Sequence, residues 1–136
     1  MKDWFLLTLC ATFLWGLTGF FPKLGTRYVS PPSFYFYEIL GALSIGLIAT
    51  LILVGNLEFD WRGAVFGVLT GVTGSLGMLF FIYAVTKGEV SLVVIITALA
   101  PLVTIILAVL VLHEPLTRDR IIAMVLAAAA LILVAK

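Results

Sequence analysis

The hydrophobic positions of this chain form five long blocks that are separated by short polar segments. Each block holds about 20 mostly apolar residues, which is the length that an α-helix needs to cross the hydrocarbon core of a bilayer. Glycine, proline and charged residues mark the boundaries between the blocks. The pattern predicts five membrane-spanning helices, at residues 4–24, 33–54, 63–86, 90–112 and 118–135.

The composition agrees with an integral membrane protein. Of the 136 residues, 63% are hydrophobic and 11% are charged, whereas soluble chains average about 25% charged residues. Five spans leave few residues for loops. We therefore expect residues 1–136 to form a single all-α membrane domain, a five-transmembrane-helix bundle that lies as a multi-pass protein in the inner (plasma) membrane.

The charged and reactive residues exclude several classes of function. The net charge of +1 provides no basic stripe for nucleic acid. One cysteine, Cys10, and one histidine, His113, cannot build a disulfide framework or a Cys/His metal cluster within the chain. No nucleophile and base pair is evident either, so we expect no cofactor, no metal and no enzymatic activity.

Lysine and arginine in the short loops should set the orientation, because they favour the cytoplasmic side. Four lie on each side of the predicted bilayer: Lys2, Arg62, Arg118 and Arg120 on the N-terminal side, and Lys23, Arg27, Lys87 and Lys136 on the other. This balance permits insertion both ways round and hence an antiparallel homodimer. The alternative is one orientation that is fixed by Arg118 and Arg120.

Glu38 is the sharpest anomaly, because it falls inside the second predicted helix within an aromatic run that includes Tyr35. An ionisable residue at membrane depth is costly and indicates a functional site. A carboxylate among aromatic faces suits a cation or a proton. The alternative is a structural ion pair with Lys23 or Arg27, and both interpretations remain open.

Trp15 lies well inside the first predicted helix rather than at its end. Its indole N–H needs an acceptor, so we expect it to face the bundle or a cavity. Thr12, Thr18 and Lys23 belong to the same helix and could line the same path. The alternative is a tryptophan packed in the core.

The third and fifth predicted helices carry small residues at helical spacing. Gly67, Gly71 and Gly74 lie on the third, where small residues let helices approach closely, and Tyr83 is a polar group of that helix that could meet a ligand. The fifth is rich in alanine around Ala127 and is a candidate dimer seam.

Pro101 lies near the middle of the fourth predicted helix. It cannot donate a hydrogen bond to the carbonyl of Thr97, so we expect a kink with a free carbonyl there. Such discontinuities border binding sites in many transporters, although a kink that only affects packing is also common.

Several short motifs follow one another through nearly the whole chain. They are Leu14, Trp15 and Gly16 with Lys23, Pro31, residues 74–77, Tyr83 with Ala84, and the run 91–117, which contains Pro101 and ends in Glu114, Pro115, Leu116 and Thr117. The run 91–117 is the most specific of them. The pattern resembles the EamA-type half of the drug/metabolite transporter superfamily, in particular its small five-span bacterial and archaeal members.

The resemblance implies one half of a ten-helix inverted-repeat fold. The chain would then need a second copy, possibly antiparallel, or a related half as a heterodimer partner. Where many members have an arginine early in the second helix, this sequence has Glu38. A preference for anionic substrates is therefore not carried over.

The leading hypothesis is a secondary transporter, an exporter of small organic metabolites or of cationic or amphipathic solutes, working by alternating access in a dimer. Glu38 and Lys23 would bind substrate or protons, and Trp15, Tyr35, Tyr83, Thr97 and Pro101 would line the path. The alternative hypothesis is a non-transporting membrane subunit that assembles with another membrane protein.

Overall fold

The computed structural model describes residues 3–134, with side chains from residue 4 to residue 129. This part of the chain is helical apart from short connections. The helices are α1 (Asp3–Gly25), α2 (Pro31–Leu53), α3 (Trp61–Lys87), α4 (Val90–Thr97), α5 (Ala100–Leu112) and α6 (Arg118–Val134), and a short 3₁₀ turn (Val54–Asn56) follows α2.

Four of the five predicted spans are confirmed as stretches long and apolar enough to cross a membrane. They are Trp4–Gly25, Pro31–Asn56, Trp61–Lys87 and Val90–Leu112. The fifth predicted span, 118–135, is helical over the 17 residues of α6, which measure about 26 Å at 1.5 Å per residue. That length lies at the lower limit for a span, and residue 135 falls outside the described residues.

The sequence predicts one kinked helix for the fourth span. The structure instead has two helices there, α4 and α5. The break lies at Ala98 and Leu99, and the Leu99 and Leu102 N–H groups donate to carbonyls three residues earlier. Pro101 thereby occupies the first turn of α5, where its missing N–H costs no helical hydrogen bond. The discontinuity predicted from Pro101 is present, two residues before the proline.

The chain forms two compact units, residues 1–87 and 88–136. In the first unit, α3 packs against both α1 and α2. Ile82 and Val85 of α3 and Pro22 of α1 are fully buried there. Most other long apolar side chains of this unit are exposed, as expected for helices whose surroundings are lipid or other helices.

In the second unit, α4 packs against α6, and a tight turn joins α5 to α6. His113 ends α5 in the left-handed conformation, with φ 54° and ψ 33°, and the Glu114 N–H donates to the Ala108 carbonyl at 3.3 Å. The His113 N–H donates to the same carbonyl, so these two bonds satisfy a carbonyl at the helix end. The turn ends at Thr117, whose hydroxyl accepts from the Arg120 N–H at 3.4 Å and caps α6.

Candidate functional site

A cavity of about 350 Å³ lies in the first unit, between α1, α2 and α3. We call it the Glu38 cavity. Its walls are mostly apolar or aromatic, and its polar groups are few, which is typical of small-molecule sites. The residues that line it are Thr18, Phe21, Pro22, Phe34, Tyr37, Glu38 and Met78.

Helical spacing explains how α1 and α2 build this cavity. Residues at positions i, i+3 and i+4 share one face of an α-helix. Thr18, Phe21 and Pro22 have this spacing on α1, and residues 34, 37 and 38 have it on α2. Two stripes of the same periodicity therefore face the cavity, and α3 closes one side with Met78.

Glu38 is half-buried on the wall of the cavity. Its Oε2 atom is buried and has no hydrogen-bond partner among the described residues. The Oε2 atom of Glu38 therefore receives no hydrogen bond from Lys23 or Arg27, and an ion pair of Glu38 with either residue stays an open alternative. The described residues thus leave one carboxylate oxygen of Glu38 buried at the cavity wall without a hydrogen-bond donor.

Lys23 is directed toward the end of α3. Its ammonium donates a hydrogen bond to the Val85 carbonyl at 2.7 Å. Val85 lies in the last turn of α3, where carbonyls lack helical donors and the helix dipole is negative. Lys23 thus links α1 to α3, and it is not among the residues that line the cavity.

Tyr35 also contacts backbone. Its hydroxyl donates to the Ser75 carbonyl at 3.2 Å, so it connects α2 with α3. The aromatic wall beside Glu38 is instead made by Phe34 and Tyr37. Tyr35 points about 100° away from Phe34, because successive residues of a helix are rotated by that angle. It therefore lies beside the stripe that residues 34, 37 and 38 form.

Thr18 and Pro22 together shape the polar part of the α1 wall. The Thr18 hydroxyl donates to the Leu14 carbonyl at 3.0 Å, so its hydrogen is committed while its lone pairs remain. Pro22 lies inside α1 and has no N–H to donate to the carbonyl of Thr18, four residues earlier. The Thr18 carbonyl thus lacks the donor that position 22 supplies in a regular helix, and the Thr18 hydroxyl oxygen can accept a hydrogen bond.

Gly25 makes room for the aromatic ring of Phe34. A Cβ built on Gly25 would overlap that ring. The Phe34 ring of α2 therefore lies directly against the backbone of α1 at Gly25. This close approach positions Phe34 as a wall of the Glu38 cavity.

Trp15 and Tyr83, both predicted to line the path, are not among the residues of the cavity wall. Trp15 is 75% exposed, on the outer surface of the chain, and Tyr83 is 40% exposed. That Trp15 faces a bundle or a cavity stays a prediction. A role for either side chain stays a prediction that involves a partner.

Thr97 and Pro101 belong to the second unit. The Thr97 hydroxyl donates to the carbonyls of Val93 and Val94, at 3.0 and 3.1 Å, and so remains within its own helix. A role for these two residues in a transport path stays a prediction.

Gly67, Gly71 and Gly74 have open space beside them, since a Cβ built at any of them would meet no atom within 4 Å. They do not mediate close packing within the described chain. Ala127 is half-buried on α6. The packing roles of these four residues stay predictions about contacts with another chain.

A second cavity of about 320 Å³ lies in the second unit, between α5 and the beginning of α6. Glu114 and Arg120 line it and form an ion pair at 3.2 Å. Arg120 also donates to the Pro115 carbonyl at 3.0 Å. Its charged groups are thus paired with each other, in contrast to Glu38.

Three residues of the Glu38 cavity escaped the sequence-based reasoning: Phe21, Pro22 and Met78. Phe34 and Tyr37 belong to the aromatic run in which the sequence places Glu38. Pro22 was also visible as a proline inside an apolar block. Nothing in the sequence marked Met78, which reaches the cavity only through the packing of α3.

Comparison with known proteins assigns nearly the whole chain to one protein family. The sequence model of the EamA-like transporter family matches residues 2–136. An uncharacterized protein of Methanocaldococcus jannaschii is 27% identical over 121 residues, which cover 89% of this chain and 88% of the relative. No solved structure matches the chain at a significant level. The match over nearly every residue confirms the resemblance found in the sequence.

Proposed function

Because this chain belongs to the EamA-like transporter family, whose members are typically transporters and not enzymes, we propose that it is a secondary transporter of small organic cations and amphipathic solutes. The Glu38 cavity is the binding site. The observation that carries this proposal is the buried Glu38 carboxylate oxygen without a hydrogen-bond partner. The transporter works as an exporter in the plasma membrane.

The charge of Glu38 explains the choice of substrate. A carboxylate inside a membrane span is stabilised by a nearby positive charge or by a proton. No described residue donates a hydrogen bond to the Oε2 atom of Glu38, so a cationic solute or a proton would stabilise this oxygen. The aromatic rings of Phe34 and Tyr37 border the same cavity and attract a cation through their π faces.

The Glu38 carboxyl group also provides for the exchange of a cationic solute with a proton. Glu38 binds a cationic solute when it is ionised and releases the solute when it takes up a proton. Alternating exposure of the cavity to the two sides of the membrane then couples solute export to proton entry. We propose that two protomers, or one protomer and a related half, provide the alternating movement.

Substrate flux in reconstituted vesicles tests the role of Glu38. The full chain is inserted into vesicles, and uptake of a small organic cation is measured across a range of pH for the wild type and for Glu38→Gln. The amide keeps the shape of the side chain and removes its charge. We expect flux to fall at least tenfold, with loss of the pH dependence.

Glu58→Gln is the matched control, since Glu58 is an exposed carboxylate in the connection between α2 and α3. It should retain wild-type flux. Unchanged flux and pH dependence in Glu38→Gln would refute the role of Glu38. Equal losses in both variants would point to a general effect of charge instead of the cavity.

A non-transporting membrane subunit is the second candidate function. The observation in its favour is the set of glycines on α3 that have open space beside them, which suits close packing against a partner helix. Such a subunit would move no solute on its own. Saturable flux by the purified wild-type chain excludes this alternative, and its absence, with the chain folded and inserted, favours it.

A further inference from the structure

The polar groups of the Glu38 cavity indicate which cations it selects. We propose that the cavity recognises protonated amines that carry several N–H bonds and a compact apolar body, in preference to quaternary ammonium ions of the same charge. This inference rests on the proposed function, since it names the substrate class of the same cavity.

Hydrogen-bond acceptors outnumber donors on the cavity wall. The Glu38 carboxylate offers lone pairs and receives no hydrogen bond at Oε2 from the described chain. The Thr18 hydroxyl has its hydrogen committed to the Leu14 carbonyl at 3.0 Å, so it can only accept from a ligand. Both residues line the cavity.

Pro22 removes the usual hydrogen-bond donor of a backbone carbonyl beside the cavity wall. In an uninterrupted helix, the N–H of the residue at position 22 would donate to the carbonyl of Thr18, and proline has none. Pro22 is fully buried and lies on the cavity wall beside Thr18. Freed backbone carbonyls of this kind hold cations in other transporters.

The remaining polar groups of the wall are compatible with an ammonium. The Tyr37 hydroxyl can accept as well as donate, and the Met78 sulfur is a weak acceptor. A protonated amine with two or three N–H bonds satisfies several of these acceptors at once. A quaternary ammonium ion has the same charge but no N–H, so it leaves each acceptor unpaired.

The size and apolar walls of the cavity favour an organic ion over a bare metal ion. Its volume of about 350 Å³ falls in the range of about 300–1,000 Å³ that is usual for small-molecule sites. Phe21, Phe34 and Pro22 contribute apolar surface. A sodium ion would use the oxygen atoms but leave this apolar surface without a partner.

Two ligands that differ only at nitrogen test the inference. Binding of 2-phenylethylammonium and of its N,N,N-trimethyl analogue to the purified full chain is measured by calorimetry at neutral pH, and flux of both is measured in vesicles. Both ions carry one positive charge and the same ring. We expect the primary amine to bind at least tenfold more tightly.

Thr18→Val links this preference to the wall of α1, because valine keeps the shape of threonine and lacks the hydroxyl. The preference for the primary amine should fall at least threefold. Thr12→Val is the matched control, since the Thr12 hydroxyl donates to the Thr8 carbonyl at 2.9 Å in the same way but Thr12 is not part of the cavity wall. Circular dichroism verifies that both variants are folded.

The possible outcomes separate this inference from the proposed function. Equal binding and flux of the two ions would overturn the preference for N–H donors and leave the transporter intact. A tenfold preference in binding without flux of either ion would support the inference and refute transport. Saturable sodium binding with no amine binding would overturn the inference and assign the acceptors to a metal ion.

Discussion

Gly25 and Phe34 meet where α1 ends and α2 begins. The ring of Phe34 occupies the space that a Cβ on Gly25 would need, and the same ring forms part of the cavity wall. A glycine that looks like a simple helix terminator in the sequence therefore determines where an aromatic wall of the cavity stands.

We predict that Gly25→Ala displaces the Phe34 ring and weakens binding of organic cations. The cost of forcing extra volume into a packed contact is about 1 to 3 kcal/mol. Calorimetric titration with 2-phenylethylammonium and thermal unfolding in detergent measure the two effects. Gly16→Ala is the control, because a Cβ at Gly16 meets no atom within 4 Å. Equal binding by both variants would contradict the role of Gly25.

Lys23 and Tyr35 were predicted to bind substrate or line its path, but in the structure their polar groups bind the backbone of α3. Both side chains reach across to backbone carbonyls of α3, those of Val85 and Ser75. The long lysine side chain can reach the helix end, and the tyrosine ring places its hydroxyl one helix away. Their polar groups link the helices of the first unit and so hold the Glu38 cavity between them.

At the scale of elements, the start of α3 is fixed by a side-chain cap. Asp60 precedes α3, and its Oδ1 atom accepts from the N–H groups of Arg62 at 2.8 Å and Gly63 at 3.2 Å. Its backbone carbonyl accepts from Ala64 at 2.9 Å. This arrangement satisfies N–H groups that have no helical partner.

We predict that Asp60→Ala destabilises the protein by about 1 kcal/mol, because the first turn of α3 loses this acceptor. Asp60→Asn should retain most of the stability, since the amide oxygen can accept the same bonds. Thermal unfolding in detergent, followed by circular dichroism, measures the difference. A wild-type midpoint in the alanine variant would show that the cap does not stabilise the helix.

The break between α4 and α5 also belongs to this scale. Pro101 fits the first turn of a new helix better than the interior of a long one, and the chain turns at Ala98 and Leu99 before it. The sequence could locate the discontinuity but not its form. Proline is compatible both with a kinked helix and with the first turn of a new helix. Its residue type alone does not decide between the two.

At the scale of the whole molecule, the described side chains leave much apolar surface exposed. Trp15 and the open space beside Gly67 and Gly71 are parts of that surface. A lipid-facing helix accounts for apolar exposure, and small residues beside open space suit a neighbouring helix. These features support the proposal that the working unit contains more than one protomer.

We predict that the chain inserts in both orientations and forms an antiparallel homodimer, because the five predicted spans would divide lysine and arginine four against four across the bilayer. A topology reporter after Lys136 should give signal on both sides of the membrane. The control variant Asn56→Lys/Glu58→Lys adds positive charge to one loop and should fix a single orientation. Signal on one side for the wild type would exclude the antiparallel arrangement and favour a parallel dimer or a related half.

The sequence by itself determined the membrane class, four spans and the family. Long apolar blocks need lipid, and helix-breaking residues end them, so these features depend on local composition alone. It also identified Glu38, because a charge inside an apolar block is visible without any structure. The last helix begins with the charged residues Arg118 and Asp119, so its apolar part is shorter than that of the other predicted spans.

Only the tertiary structure decided which neighbours Glu38 has. The packing of α1, α2 and α3 brought Thr18, Pro22 and Met78 to the same cavity and directed Lys23 toward the end of α3. Spacing along one helix defines a face, but it does not define the helix opposite that face. The partners of a buried charge depend on that second helix, and so the chemistry of the site is fixed by packing.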